Sequence, residues 1–265
     1  MYIAPPLEGV RLKLFRAYDH FRDIDVAVGE MYAKQSKAAG HKVENQNELV
    51  VTWPDEPPLD PRFAIILGDC VHNLRSALDH LVAQLAILNN APSAAIEKTA
   101  FPVCLSAADF KNSTVRKVAP YISRNALAEI EKLQPYSTGD GVQDILWVLS
   151  QLDIIDKHRL LIVAKHKMRA RYFRVATESG QVLAHTLSPD NPWKSSENGA
   201  EIIRFQITGL QGYTKMHVQV DTEGTIQIEQ TGLICDGQNL LLVLRDCINY
   251  VSSIVDDFGQ MFFPS

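Results

Sequence analysis

The sequence predicts an α+β protein: mainly a helical bundle of four to five helices, with an antiparallel meander sheet inserted before the C-terminal helix. Three observations predict it. Apolar residues recur at three-four spacing over Leu7–Met31, over Leu67–Leu88 and again from Leu240 to Met261, with a further helix expected to about Ala164. Between those stretches, from Met168 onward, the period switches to two. At 265 residues, 46% hydrophobic and 22% charged, the chain also has the composition of an ordinary globular protein, large enough for one large domain or two small ones.

Leu7, Val10, Leu14, Ala17, Phe21, Ile24, Val28 and Met31 form one stripe of a first helix about seven turns long, which Gly40 closes. The run ELVVTW, ending at Trp53, has the β-branched and aromatic content of a strand. Asp60-Pro61, an N-cap followed by proline at the first helical position, starts a second helix. It runs to Asn89-Asn90 on the stripe Leu67, Val71, Leu74, Leu78, Leu81, Leu85 and Leu88. A short helix is expected from Arg124 to Leu133, stopping before Pro135. Asp140 is expected to cap a fourth, to about Ala164.

Then RARYFRVA, QVLAHT, EIIRFQIT, KMHVQV and TIQIEQ alternate, separated by turn signals such as Ser-Gly and Thr-Glu-Gly, which reads as a five-stranded meander. Leu240, Leu244, Cys247, Val251, Ile254, Phe258 and Met261 mark the last helix. The expected organisation is a bundle over 1–167, a sheet insertion over 168–232 and a C-terminal helix over 233–265 that packs back on the bundle as one compact unit.

Composition also narrows the function classes. No apolar run approaches the roughly 18 residues that span a bilayer, so no membrane is expected. The start MYIAPPLEGV lacks the basic and apolar regions of a signal peptide. Cys70, Cys104, Cys235 and Cys247 form no CxxC pair and read as reduced structural thiols, placing the chain in the cytoplasm. A net charge of −5 argues against a generic nucleic-acid coat. Serine-hydrolase, P-loop and dinucleotide motifs are absent, and no cofactor is expected.

The second helix carries an anomaly. Opposite its leucines lie Asp69, His72, Asn73, Ser76, Asp79 and His80, within an arc of about 100°, with Arg75 on the flank. A solvated face would use Lys and Glu, yet neither occurs from Pro61 to Asn90. Asp, Asn, Ser and His each cost about half a kcal/mol of helix propensity relative to Ala. Either buried hydrogen bonding or a functional site offsets that cost. The fourth helix offers a matching stripe of Asp144, Trp147, Gln151, Ile154, His158 and Leu161. The adjacent Asp156-Lys157-His158-Arg159 reads first as ion pairing or helix termination. From Lys157 to Arg174 there are seven basic residues and no acidic one. Lys165, Lys167, Arg169 and Arg171 share one strand face there, beside Tyr172 and Phe173. That face suits a phosphate backbone, or it balances an acidic body.

The string LGDCVHNLRSALDHL (Leu67 to Leu81), with FPVC (from Phe101), LQPY (from Leu133) and LWVLSQLDIIDKHRLL (from Leu146), resembles a family of uncharacterised bacterial and phage-borne proteins, a resemblance that implies no activity. Separately, Arg75-Ser-Ala-Leu-Asp-His80 is similar to the Arg-x(4–6)-His motif of HEPN-domain ribonucleases, helical bundles found in toxin and phage-defence systems, usually as dimers. Ser76 stands where that motif commonly has Asn, Asp or His.

The second resemblance implies metal-independent RNA cleavage, with Arg75 and His80 on the motif positions. Such a reaction needs a base for the 2′-OH proton and a fixed cation for the charge on the phosphorane. His80 can supply the base and Arg75 the cation. Asp79 or Asp69 can orient a histidine, and His72 can act as a second acid/base group. Asn73, Ser76 and His158 take supporting places, and Lys165, Lys167, Arg169 and Arg171 hold the RNA. Five residues apart, Arg75 and His80 diverge by about 140° around the helix, so a homodimer belongs to this expectation. Two alternatives stay open: a non-catalytic binding or regulatory module, and a metal-dependent hydrolase drawing ligands from Asp69, His72, Asp79, His80 and His158.

Overall fold

The computed structural model describes residues 6–35, 40–45, 47–53, 59–114, 118–158, 164–187, 200–208, 215–228 and 235–264. It is an α+β structure with two compact units, one of Met1–Ile24, Pro61–Val163 and Ile228–Ser265, the other of Asp25–Asp60 and Ala164–Gln227. This division corrects the expected boundaries, because the segment holding the early strands joins the later ones rather than the bundle. The first helix, α1 (Glu8–Gln35), belongs to the first unit up to Ile24 and to the second beyond it.

In the helical unit α2 (Arg62–Leu88) is the spine. Its Leu67, Val71, Leu74, Leu78, Leu81 and Leu85 are all buried, each contributing about 1.5–3 kcal/mol of transfer free energy. Leu88, expected on the same stripe, is 54% exposed. The short helices α3 (Ser93–Ile96), α4 (Ala107–Asp109, continuing as a π-turn), α5 (Arg124–Lys132) and α6 (Pro135–Thr138) follow. Ser123 Oγ accepts from the Ala126 amide and starts α5.

Next come α7 (Ile145–His158) and, after the sheets, α8 (Leu240–Phe262), both packed on α2. Asp144 caps α7, its Oδ1 accepting from the Leu146 amide at 2.8 Å. Asp140, expected in that role, precedes a 3-10 turn instead, because Gly139 and Gly141 take left-handed φ values of 89° and 55°. The described part of this helix reaches His158, and Ala164, about where the helix was expected to end, already lies in a strand. All four cysteines are buried and free, and Cys70 Sγ donates to the Ala17 carbonyl. Among the described residues no helix is long and apolar enough to cross a membrane.

The second unit holds two three-stranded sheets, β1-β2-β5 and β4-β3-β6. Their strands are β1 (Gly40–Glu44), β2 (Glu48–Thr52), β3 (Ala164–Thr177), β4 (Val182–Leu187), β5 (Glu201–Gln206) and β6 (Met216–Ile228). β2 pairs antiparallel with β1 (Val43 opposite Leu49) and with β5 (Leu49 opposite Phe205). β3 and β4 form the antiparallel hairpin the sequence predicts, Arg174 opposite His185. The buried cluster Leu49, Val175 and Ile207, with Leu183, Phe205 and Met216, joins residues of both sheets.

The five-stranded meander is therefore corrected. Met216–Ile228, covering most of KMHVQV and TIQIEQ, is one strand, and the Thr-Glu-Gly within it is not a turn. A Cβ on Gly224 would fall inside the ring of Tyr32, whose hydroxyl donates to the Thr225 carbonyl at 2.7 Å. That glycine admits an aromatic ring to the strand rather than reversing the chain.

Candidate functional site

Glycine inside a helix costs about 1 kcal/mol relative to alanine, so Gly68, a full turn into α2, needs a reason. The reason is Asp156 on α7. A Cβ on Gly68 would stand 2.6 Å from the Asp156 carboxyl carbon, and closer still to Oδ1, so only glycine lets this carboxylate rest against α2. One turn further along α2, His72 Nδ1 stands 3.8 Å from Asp153 Oδ1 on α7. Residue numbers thus rise along α2 as they fall along α7, and the helices run in opposite directions through this contact. Lys157 Nζ meets the other Asp153 oxygen at 2.7 Å.

Burial makes this cluster electrostatically tense. The Asp153 side chain is 10% exposed, and its Oδ1 is buried with no hydrogen-bond partner among the described residues. Burial pushes the Asp156 carboxyl above the usual carboxylate range; Asp153 and Asp69 push the same way, and His72 and Lys157 oppose them. His20 on α1 is nearly buried. Desolvation holds its imidazole below the ordinary range, helped by Arg16 and opposed by Asp69, Asp23 and Asp19. His72 stays 51% exposed, so its ring is open to solvent while Asp153 lies behind it. Proton exchange with a bound molecule is what such an arrangement can perform.

The expected pair of Arg75 and His80 is not brought together within this chain. Arg75, 12% exposed, donates through Nη2 to the Phe101 carbonyl at 3.2 Å, and Asp79 Oδ1, 3.5 Å from that nitrogen, accepts from the Phe101 amide at 2.8 Å. Fully buried Gln134 holds the next residues, donating to the carbonyls of Pro102 and Ile130 and accepting from the Cys104 amide. The strings LRSALD, FPVC and LQPY are thus members of one hydrogen-bond network. His80 is exposed, beside Gly9 of α1, and makes no hydrogen bond or ion pair with Arg75.

Of the supporting residues, Asn73 donates to the Asp69 carbonyl one turn back, and Ser76 is half-buried. The side chains of His158 and Lys165 lie outside the described residues. On β3, Arg169 donates through Nε and Nη2 to Glu223 Oε2 at 2.9 and 2.7 Å, and Arg171 Nη1 stands 3.2 Å from the same oxygen. The expected basic face therefore carries its own counter-charge from β6. Lys167 is half-buried on the same strand. Among the described residues no group of three His, Cys, Asp or Glu is placed to hold a metal ion; Asp79 is turned to Phe101, and His80 to Gly9.

Sequence reasoning missed Asp153, Asp156 and Lys157 as site residues. It faced α2 with Gln151, Ile154 and His158, yet Ile154 is 42% exposed. The available signal was Gly68, a mid-helix glycine matched by two carboxylates three apart in an apolar run. No family model, curated protein or solved structure matches the chain.

Proposed function

We propose that the chain is a metal-independent endoribonuclease whose proton-transfer centre is His72 with Asp153, in place of the Arg75–His80 pair that the motif implies. The carrying observation is the exposed His72 ring, its Nδ1 3.8 Å from a buried carboxylate oxygen that has no hydrogen-bond partner among the described residues. With Nδ1 oriented, Nε2 is left to take the 2′-OH proton of a ribonucleotide. The 2′ oxygen then attacks the adjacent phosphorus, and the bond to the 5′ oxygen breaks. Asp156, a carboxyl biased toward its protonated form, gives its proton to that 5′ oxygen. Lys157, 43% exposed, supplies the cation for the phosphorane charge. The products are a 2′,3′-cyclic phosphate and a free 5′ hydroxyl. RNA as partner, a homodimer as the assembled form and a cytoplasmic setting belong to the same reading; the four buried free thiols support the reducing compartment.

A second reading, a non-catalytic binding or regulatory module, is favoured by one observation: Arg75 is spent on the Phe101 main chain rather than offered to a ligand. Product analysis separates the two. Purified chain incubated with an oligoribonucleotide should yield fragments ending in cyclic phosphate and should spare the same oligonucleotide made of deoxyribose. Binding of the RNA with no fragments would favour the module.

A further inference from the structure

We propose that the seam between α1 and α2 is a binding site for a phosphate group, held by Lys13 and Arg16 of α1 over Asn73 and Ser76 of α2. The site goes beyond the reading above, because it requires no cleavage and uses none of the proton-transfer residues. Four-three-four spacing puts Gly9, Lys13, Arg16 and His20 on one stripe of α1. The same spacing puts Asp69, Asn73, Ser76 and His80 on one stripe of α2. Two contacts join the helices: a Cβ on Gly9 would stand 3.7 Å from His80 Nδ1, and Cys70 Sγ donates to the Ala17 carbonyl at 3.3 Å. The helices therefore run antiparallel, and at the far end of the seam Asp69 is close enough to His20 to act on its imidazole. Between those ends Lys13 falls opposite Ser76 and Arg16 opposite Asn73.

Charge and hydrogen bonding select the ligand. Arg16 is exposed and Lys13 half-buried, and neither makes a hydrogen bond or ion pair among the described residues. The nearby acids face other groups: Asp19 stands 3.4 Å from Arg22, Asp69 and Asp23 act on His20, and Asp79 Oδ1 accepts from the Phe101 amide. Asn73 spends one amide hydrogen on the Asp69 carbonyl at 2.7 Å and keeps the other. The half-buried Ser76 hydroxyl has no hydrogen-bond partner among the described residues. Two cations facing two spare donors call for an anion with acceptor oxygens on more than one side. A tetrahedral phosphate spreads its oxygens over both helices, which a planar carboxylate cannot do. The lack of Lys and Glu on this side of α2 then has a use, since a Glu at Asn73 or Ser76 would repel the anion.

Isothermal titration calorimetry on the full chain tests this, with a 2′-O-methyl oligoribonucleotide and, separately, with inorganic phosphate. The methyl group blocks attack by the 2′ oxygen, so binding is read without cleavage. Binding of the strand assigns the site to a nucleic-acid backbone, and saturable binding of phosphate alone assigns it to a small phosphate ester. For whichever probe binds, Arg16→Ala should weaken affinity on the order of tenfold. For the strand, the slope of log affinity against log salt should also fall by about 0.7. Ser76→Ala, which removes no charge, should weaken affinity about two- to tenfold. Arg11→Ala, on the same helix but outside the stripe, should bind as wild type does, and all three variants should keep the wild-type melting temperature. Equal losses for Arg16→Ala and Arg11→Ala, full affinity in Ser76→Ala, or no binding of either probe would overturn the site. Binding by a chain that leaves unmodified RNA intact would overturn the nuclease and leave this site standing.

Discussion

Arg75 donates to the carbonyl oxygen of Phe101 at 3.2 Å, and that single bond changes what the residue is for. Asp79 accepts from the amide of the same residue, so an i,i+4 pair on α2 grips both main-chain polar groups of a buried phenylalanine. The extended segment from Phe101 to Cys104 has no strand partner among the described residues, and its polar groups are met by side chains instead.

Arg75→Ala should therefore lower stability by about 2–4 kcal/mol, since it leaves Asp79 and the Phe101 carbonyl half-satisfied. Urea unfolding followed by circular dichroism measures this. Arg75→Lys should recover little, because a lysine cannot reproduce the planar fork.

Gly68→Ala reverses the usual sign of that substitution. In an open helix it would gain about 1 kcal/mol, whereas here the new methyl meets the Asp156 carboxyl and should cost about 1–3 kcal/mol. The double variant Gly68→Ala with Asp156→Ala should regain most of the loss. Equal losses with and without Asp156 would place the clash elsewhere.

The pH dependence of stability follows from two opposed groups. Asp156 binds its proton more tightly folded than unfolded, so its ionisation costs stability above the folded pKa, and that cost fades as pH falls toward the ordinary carboxylate value. His20 acts in the other direction: its folded pKa is depressed, so stability is lost as pH falls below the ordinary imidazole value of about 6.5. Asp156→Asn should thus be more stable than wild type at neutral pH, the gap closing toward about pH 4. Denaturant midpoints across that range would reveal it.

Tyr32→Phe tests the strand that the Thr-Glu-Gly signal concealed. Losing the bond to the Thr225 carbonyl should cost about 1 kcal/mol, and Gly224→Ala should cost more, because the ring leaves no room for a Cβ. Amide exchange along β6 should quicken in both variants.

The long helices were legible in the sequence because their signal is local. Three-four spacing marked α2 and α8 within a residue or two, but the expected cap of α2 at Asp60 is corrected: Pro61 takes the cap position, with no side-chain cap bond, and the helix starts at Arg62. The sheets were legible only in part. The β3–β4 hairpin closes within a short stretch, but β2 finds β5 across more than a hundred residues, and no periodicity encodes that choice. Gly224 misled because a glycine that makes room reads like one that turns. The polar side of α2 was legible as an anomaly, yet not its division: Arg75 and Asp79 brace Phe101, while His72 meets an acid from α7. That division depends on Asp153, which the sequence hides among isoleucines and leucines.

Single-turnover cleavage of one oligoribonucleotide by wild type and by His72→Gln tests the proton-transfer centre most directly. Because glutamine can still donate to Asp153, unfolding free energy should fall by no more than about 1 kcal/mol. The rate should fall by about 100-fold or more. Cleavage at the wild-type rate by a folded His72→Gln chain would contradict the assignment.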